Sequence, residues 1–208
     1  MTRQFSFFEE AEQKQEAATS VLEGFRYSPE FISPSAEEAL VKRFKELPFR
    51  EFEFHGYLGK RRVVSFGWQY DYSQSKVRRA EAMPDYLLEI RKLAGSFAKL
   101  APEEFQQVLV TEYRPDAGIG WHRDRSVFGE VVGISLLSPC VLRFRRKLVT
   151  KPQRSGKVPQ RWERVNVATA PRSAYHLSGN ARSEWEHSIL RVAELRYAIT
   201  FRTLLEAA

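Results

Sequence analysis

In the stretch Trp121-His122-Arg123-Asp124, an imidazole and a carboxylate stand two residues apart. On a β-strand such residues share a face, so both can reach one ion without distorting the backbone. A second histidine would complete a set of two nitrogens and one carboxylate oxygen that leaves the other metal positions open. That set suits non-haem Fe(II) in oxygenases. Three histidines compete for the place: His55, His176 and His187. His55 lies upstream, in the helix-rich half. His176 sits inside a strand pattern that equally suits a core histidine. His187 follows a polar turn and precedes the last strand. Alone, His-x-Asp is a weak signal, because surface ion pairing accounts for most such pairs.

The last strand adds a second chemistry. In Leu195-Arg196-Tyr197-Ala198-Ile199-Thr200-Phe201-Arg202, alternation puts Tyr197, Ile199 and Phe201 on a core face. Arg196, Ala198, Thr200 and Arg202 take the other. Two guanidinium groups on the inner side of a barrel strand need anions, and the planar fork suits carboxylates. A dicarboxylate could be held by Arg196 at one end and by Arg202 at the end nearer the metal.

The elements that must position these groups follow from periodicity. Ser33-Pro34-Ser35 reads as a helix start, and Ala36, Leu40, Val41, Phe44 and Leu47 follow at helical spacing until Pro48. Pro84 opens a second helix with Leu87, Ile90, Ala94 and Phe97 as its buried stripe. Short strands are expected at Val108–Tyr113, across Trp121 to Asp124, at Val131–Leu137, Val141–Arg145, Ser173–Leu177 and Leu195–Leu204. Two helices followed by many short strands predict an α+β chain, mainly β, with helices packed on an antiparallel sandwich or barrel. Upstream, Trp68, Tyr70 and Tyr72 alternate and can show three rings on one face. They could form a stacking wall for a flat substrate, with Arg61, Arg62, Lys76, Arg78 and Arg79 near enough in sequence to hold phosphates.

Composition limits the function classes. The 208 residues carry a formal net charge of +7, which favours a polyanion such as nucleic acid as partner. The density of Arg and Lys from Arg145 to Arg164 reads as an exposed basic hairpin or loop able to contact phosphates. A single cysteine, Cys140, lies in an apolar run. It suits a buried structural thiol in a reducing compartment, and a cytoplasmic location is expected, with the nucleus open to a eukaryotic chain. No apolar run is long enough to span a bilayer, so no membrane partner is expected. Residues 1–20 read as a mobile arm, and residues 21–208 as a single domain, expected to be a monomer.

Together, His122-x-Asp124, His187 and the strand Arg196 to Arg202 resemble the AlkB-type Fe(II)/2-oxoglutarate-dependent dioxygenases. Further likeness lies in Thr111-Glu112-Tyr113-Arg114-Pro115, in Leu177 to Arg182, and in Ala82-Met83-Pro84. The resemblance implies a double-stranded β-helix, or jelly roll, over about residues 105–205. It also implies N-terminal helices packed on that core and a nucleotide-recognition lid over about residues 55–82. It selects His187 as the third ligand of Fe(II) and makes His122, Asp124 and His187 the catalytic metal set. It assigns Tyr113, Arg196 and Arg202 to the co-substrate 2-oxoglutarate, with O2 as the other reactant. The implied reaction is oxidative dealkylation of N-alkylated bases in DNA or RNA, releasing aldehyde, succinate and CO2. Two positions depart from the family's pattern: Thr111 stands where an asparagine is common, and Ser126 where several members carry an acid. Base preference is therefore left open. So are two other readings: the same chemistry on a protein side chain or as tRNA-base hydroxylation, and a basic jelly roll that binds nucleic acid without turnover.

Overall fold

The computed structural model describes residues 21–54, 57–148 and 161–205. The expected arm over residues 1–20, His55, and the middle of the basic segment at residues 149–160 lie outside the described residues. In chain order the elements begin with β1 (Phe25–Ser28), α1 (Pro34–Phe44), β2 (Arg50–Phe54), β3 (Tyr57–Phe66), β4 (Trp68–Asp71), β5 (Lys76–Arg79) and α2 (Asp85–Ala98). The core strands follow as β6 (Phe105–Tyr113), β7 (Ile119–His122), β8 (Phe128–Leu136), β9 (Cys140–Leu148) and β10 (Arg161–Thr169). Then come β11 (Ala174–Leu177), the short helix α3 (Gly179–Ser183), β12 (Glu186–Ile189) and β13 (Arg196–Leu204).

Capping fixes where α1 begins. The Ser33 hydroxyl accepts from the Ala36 N–H at 3.2 Å, and Pro34 fills the first helical turn, where an N–H would have no helical partner. The apolar stripe of α1 and that of α2 both turn inward, burying Leu40, Phe44, Leu87, Ile90, Ala94 and Ala98.

Those stripes rest on a seven-stranded sheet in the order β1-β11-β8-β13-β6-β3-β2. A four-stranded sheet, β10-β9-β12-β7, faces its other side, and β4 with β5 forms a separate ribbon. All named strand pairs are antiparallel. Helices on one face of a sheet and a second sheet on the other make the expected mainly-β jelly roll with helices packed on it.

Strand β13 is covered on both faces. Tyr197, Ile199 and Phe201 pack with the helices and with Val108, Val110, Ile134 and Leu136. Ala198 belongs to the inter-sheet core with Tyr113, Leu142, Phe144, Trp185 and Ile189. The face that carries Arg196 and Arg202 therefore points between the sheets, not to solvent; Arg196 is 1% exposed.

One strand and one turn depart from expectation. The strand β9 was expected to end at Arg145 but runs to Leu148, and β10 pairs with it along its whole length, Arg161 opposite Leu148 and Thr169 opposite Cys140. Cross-strand pairing supports the extension. Arg146 meets Glu163 at 2.9 Å, and Arg145 lies 4.4 Å over the Trp162 ring. The polar turn expected ahead of His187 instead contains α3, entered from Ser178. Cys140 is buried as anticipated, its Sγ 2.9 Å from the Thr169 hydroxyl.

Phe44 is fully buried and sets its ring 5.5 Å from Tyr197 and 6.5 Å from Tyr86. Replacing it with alanine leaves a cavity between α1 and β13. We expect Phe44→Ala to lose about 3–5 kcal/mol in equilibrium denaturation, and a loss under about 1 kcal/mol would show that the helix layer does not depend on this ring.

Candidate active site

Strands β7 and β12 are neighbours in the four-stranded sheet and bring two histidines together. His187 is directly opposite His122 in the register, and their ring centroids are 4.3 Å apart. Asp124 completes the trio; one ligand atom from each of His122, Asp124 and His187 lies within 4.8 Å of the others. The strand argument for the spacing needs one correction. Strand β7 stops at His122, so Asp124 belongs to the turn that follows. Its carboxylate is delivered by an ion pair and not by strand alternation. Arg202 Nη2 donates to Asp124 Oδ1 at 3.2 Å, while Arg202 Nη1 donates to Gln107 Oε1 at 3.0 Å. Arg182 shapes the same turn by donating to the carbonyls of Arg125, Phe128 and Gly129 at 2.6–2.8 Å.

Electrostatics prepare all three groups to bind a cation. Burial pushes the Asp124 carboxyl up, but Arg202, then His187, His122 and Arg182, outweigh it and hold the group well below the usual carboxylate range. Burial and the adjacent His122 push His187 down to about 3. Burial also lowers His122, against the opposing pull of Asp124 and of its Nδ1 contact with the Gly120 carbonyl at 2.9 Å. At neutral pH the trio is two neutral imidazoles and one carboxylate, the protonation a metal ion requires. With Nδ1 of His122 held by a carbonyl, Nε2 is the nitrogen left to ligate.

Deeper between the sheets lies Arg196. Its Nη2 donates to the Ser135 hydroxyl at 2.8 Å, and its guanidinium sits 5.0 Å from the centre of the Tyr113 ring. Among the described residues its buried Nε and Nη1 find no hydrogen-bond partner, nor does the buried Nε of Arg202. Orphaned donors on a buried cation are costly, and a carboxylate placed there would satisfy them. Tyr113 and Tyr175 border the same space; burial raises both phenols, so both keep their protons and can donate. Space for Tyr175 exists because position 133 is glycine: a Cβ there would lie 2.2 Å from the Tyr175 ring. An anion site of two carboxylate-seeking arginines beside a His-Asp-His trio fits Fe(II) and 2-oxoglutarate together.

At the mouth, Tyr70 and Tyr72 meet edge to face with centroids 4.9 Å apart, and Arg125 lies 5.2 and 5.1 Å over their rings. Burial raises the Tyr72 phenol, and Arg202, Asp124, Arg61 and Arg125 lie within electrostatic range of it. The guanidinium of Arg61 stacks 3.7 Å over Phe52, within electrostatic range of Tyr113, Tyr72, Arg202 and Asp124. Strand β4 ends at Asp71, yet Tyr72 still meets Tyr70, and Trp68 has Arg79 over its ring at 4.8 Å. Arg62 departs from expectation. Alternation along β3 sends it to the opposite side from Arg61, where it grips Glu112 through two bonds of 2.8 and 2.9 Å. Arg114 and the Tyr197 hydroxyl donate to the same carboxylate. Arg62 therefore serves the sheet and does not reach the mouth. His176, the rival ligand, is buried between Glu130 and Arg26, at 2.6 and 2.9 Å. A groove of about 960 Å³ opens beside Asp124, lined by Arg123, Ser126, Phe128, Arg182 and Thr203 among others.

This geometry has counterparts in known proteins. Residues 24–202 match the 2OG-Fe(II) oxygenase superfamily. The chain belongs to that family. It is 30% identical over 148 residues to the alkylated DNA repair protein ALKBH8 homolog of Arabidopsis thaliana, across 64% of this chain and 42% of the plant protein. It is 31% identical over 121 residues to the probable RNA/DNA demethylase ALKBH6 of Danio rerio, across 58% and 49% of the two chains. The match thus spans less than half the length of either relative. The solved structure of OsALKBH1 superposes with a TM-score of 0.65 over 86% of this chain and 96% of that one, at 16% identity, a likeness of fold. Membership of that family implies Fe(II), with 2-oxoglutarate and O2 as co-substrates, and the His122-Asp124-His187 trio fits the metal.

For this oxygenase the sequence reading missed several contributors. Arg182 lies in the quoted turn before His187 but had no role until its three carbonyl contacts appeared. Arg125 adjoins a metal ligand, and Ser135, Gln107 and Tyr175 gave no signal beyond strand patterns. Their partners come from strands far away in sequence, as Gln107 and Arg202 do at 95 residues' separation.

The depressed His187 sets a pH dependence. Its ordinary value is 6.5 and its folded value about 3, so between these the unfolded chain takes up a proton that the folded chain refuses. Stability is therefore full above pH 6.5 and falls as the pH drops toward 3. We expect the melting temperature of metal-free protein to decline from about pH 6.5 to about pH 4.5, with a shallower decline in His187→Asn; parallel curves for the two proteins would refute the assignment.

Proposed function

We propose that this dioxygenase removes N-alkyl groups from nucleobases in DNA or RNA. The observation that carries the reading is the aromatic and cationic mouth. Tyr70, Tyr72, Arg125 and Arg61 stand beside the His122-Asp124-His187 trio and offer a flat base both stacking faces and planar donors. The net charge of +7 supports a polyanionic substrate. In this reading β4 and β5 belong to a lid over the base, and a base from a duplex is flipped out or already single-stranded.

His122, Asp124 and His187 would hold the iron, and Arg196 the distal carboxylate of 2-oxoglutarate through its orphaned Nε and Nη1. The bound iron, with 2-oxoglutarate and O2, supplies the oxidation that inserts one oxygen into the alkyl C–H, the other oxygen ending in succinate as CO2 leaves. The protein's own residues do the positioning. Arg202 fixes the Asp124 carboxylate, and Nε of Arg202 remains to meet the carboxylate beside the keto group. Tyr113, whose phenol burial keeps protonated, would donate a hydrogen bond to the co-substrate. Tyr70 and Tyr72 hold the base so that its alkyl group points at the trio. The N-hydroxymethyl product then loses formaldehyde and returns an N–H base.

Two measurements test this. Incubation with iron(II), ascorbate, 2-oxoglutarate and a panel of N-methylated DNA and RNA oligonucleotides should give demethylated product by mass and formaldehyde in equal amount. Succinate without loss of methyl from any oligonucleotide would move the substrate to a protein or another modified base. His187→Ala should abolish 2-oxoglutarate turnover with an unchanged circular dichroism spectrum, and Arg196→Gln should raise the KM for 2-oxoglutarate by at least about tenfold. Normal turnover in the first variant would overturn the ligand assignment.

A further inference from the structure

The mouth has a sign. Arg125 lies 5.1 Å over the Tyr72 ring, Arg61 lies 3.7 Å over the Phe52 ring that meets Tyr72 at 5.4 Å, and the Arg202–Asp124 pair lies within electrostatic range. Asp124 is committed to the metal trio and to Arg202. The acids of the adjoining groove are also engaged: Glu104 accepts from the Ala101 N–H at 2.9 Å, and Glu130 holds His176. Iron(II), Asp124 and a doubly charged co-substrate leave one net negative charge, which Arg196 and Arg202 together already exceed. Arg61 and Arg125 then make the place of the base positive.

Alkylated bases divide by charge. Methyl on N1 of adenine or N3 of cytosine makes the base a cation near neutral pH, because the exocyclic nitrogen becomes a strong base. Methyl on N3 of uracil or thymine leaves the ring neutral, with a carbonyl oxygen on each side of the alkylated nitrogen. A cation brought against Arg61 and Arg125 meets like charges in a partly dry site. A neutral ring flanked by carbonyls instead offers acceptors to guanidinium donors whose planes are fixed by Phe52 and by Tyr70 with Tyr72.

We infer that this site selects uncharged N-alkylated bases whose alkylated nitrogen is flanked by carbonyl oxygens, and that Arg61 determines the choice. The inference rests on the dealkylase reading above and gives Arg61 a contact with the base where the sequence suggested a phosphate. It needs no described carboxylate at the base, and it explains why a guanidinium is stacked tightly on a ring beside the trio instead of reaching outward to solvent.

The test separates the two levels. Metal-free full-length protein is titrated against labelled single-stranded oligonucleotides carrying one N3-methylthymine or one N1-methyladenine, and the same oligonucleotides are assayed for methyl loss with iron(II) and 2-oxoglutarate. We expect binding and turnover to favour N3-methylthymine by about tenfold, or about 1.4 kcal/mol. Arg61→Gln should narrow that ratio and Arg61→Glu should bring it to parity or reverse it. Equal or better handling of N1-methyladenine by the unaltered protein would overturn the inference and leave dealkylation standing. Methyl loss from neither, with succinate still formed, would overturn both.

Discussion

A strand buried on both faces has few places for a charge. Strand β13 lies between the helix layer and the second sheet, so its alternation divides two kinds of burial and not burial from exposure. Tyr197, Ile199 and Phe201 go to the apolar side. On the other side Arg196 and Arg202 can be tolerated only where something anionic meets them. For Arg202 that partner is a side chain, Asp124, at 3.2 Å. For Arg196 the protein supplies one hydroxyl and leaves two donors over. The unsatisfied remainder marks where a small anion belongs.

The same economy of charge runs through the metal trio. Asp124 sits beyond the end of β7, without a ladder bond to place it, and its position depends on a strand from the opposite sheet. Arg202 thereby couples three things that are distant in sequence: the metal ligand, the sheet interior through Gln107, and the Phe128 ring 5.2 Å away. Two imidazoles kept neutral by dense packing need no deprotonation before they ligate. Removing the guanidinium would free Asp124 to take the position set by solvent and the turn alone.

What the sequence made legible was local or periodic. The Ser33 cap, the stripes of both helices and the alternation of β13 depend on neighbours within a few residues, and each is present. His122 with Asp124 and the two arginines of β13 were readable from residue type and spacing, and the family resemblance singled out His187. Length and pairing were harder. Nothing near Arg145 announces that β9 continues to Leu148, because the support comes from Glu163 and Trp162 across the hairpin. Likewise Arg61 and Arg62 look alike in sequence, yet one residue of offset on β3 sends them to opposite faces, and Glu112 claims only the second.

Gly133 has a consequence of a different kind. Because that residue has no side chain, the Tyr175 ring can lie against the backbone of β8, and the ring forms one wall of the space near Arg196 and Tyr113. The volume there is thus set by two positions that ligate nothing. A shorter residue at 175 would enlarge the chamber while leaving the iron ligands and both arginines in place. A 2-oxoglutarate analogue with a bulky group on its middle carbons would then gain the room that the Tyr175 ring takes up beside Arg196 and Tyr113. The pair offers a handle for running this one oxygenase on a private co-substrate in a mixture of its relatives.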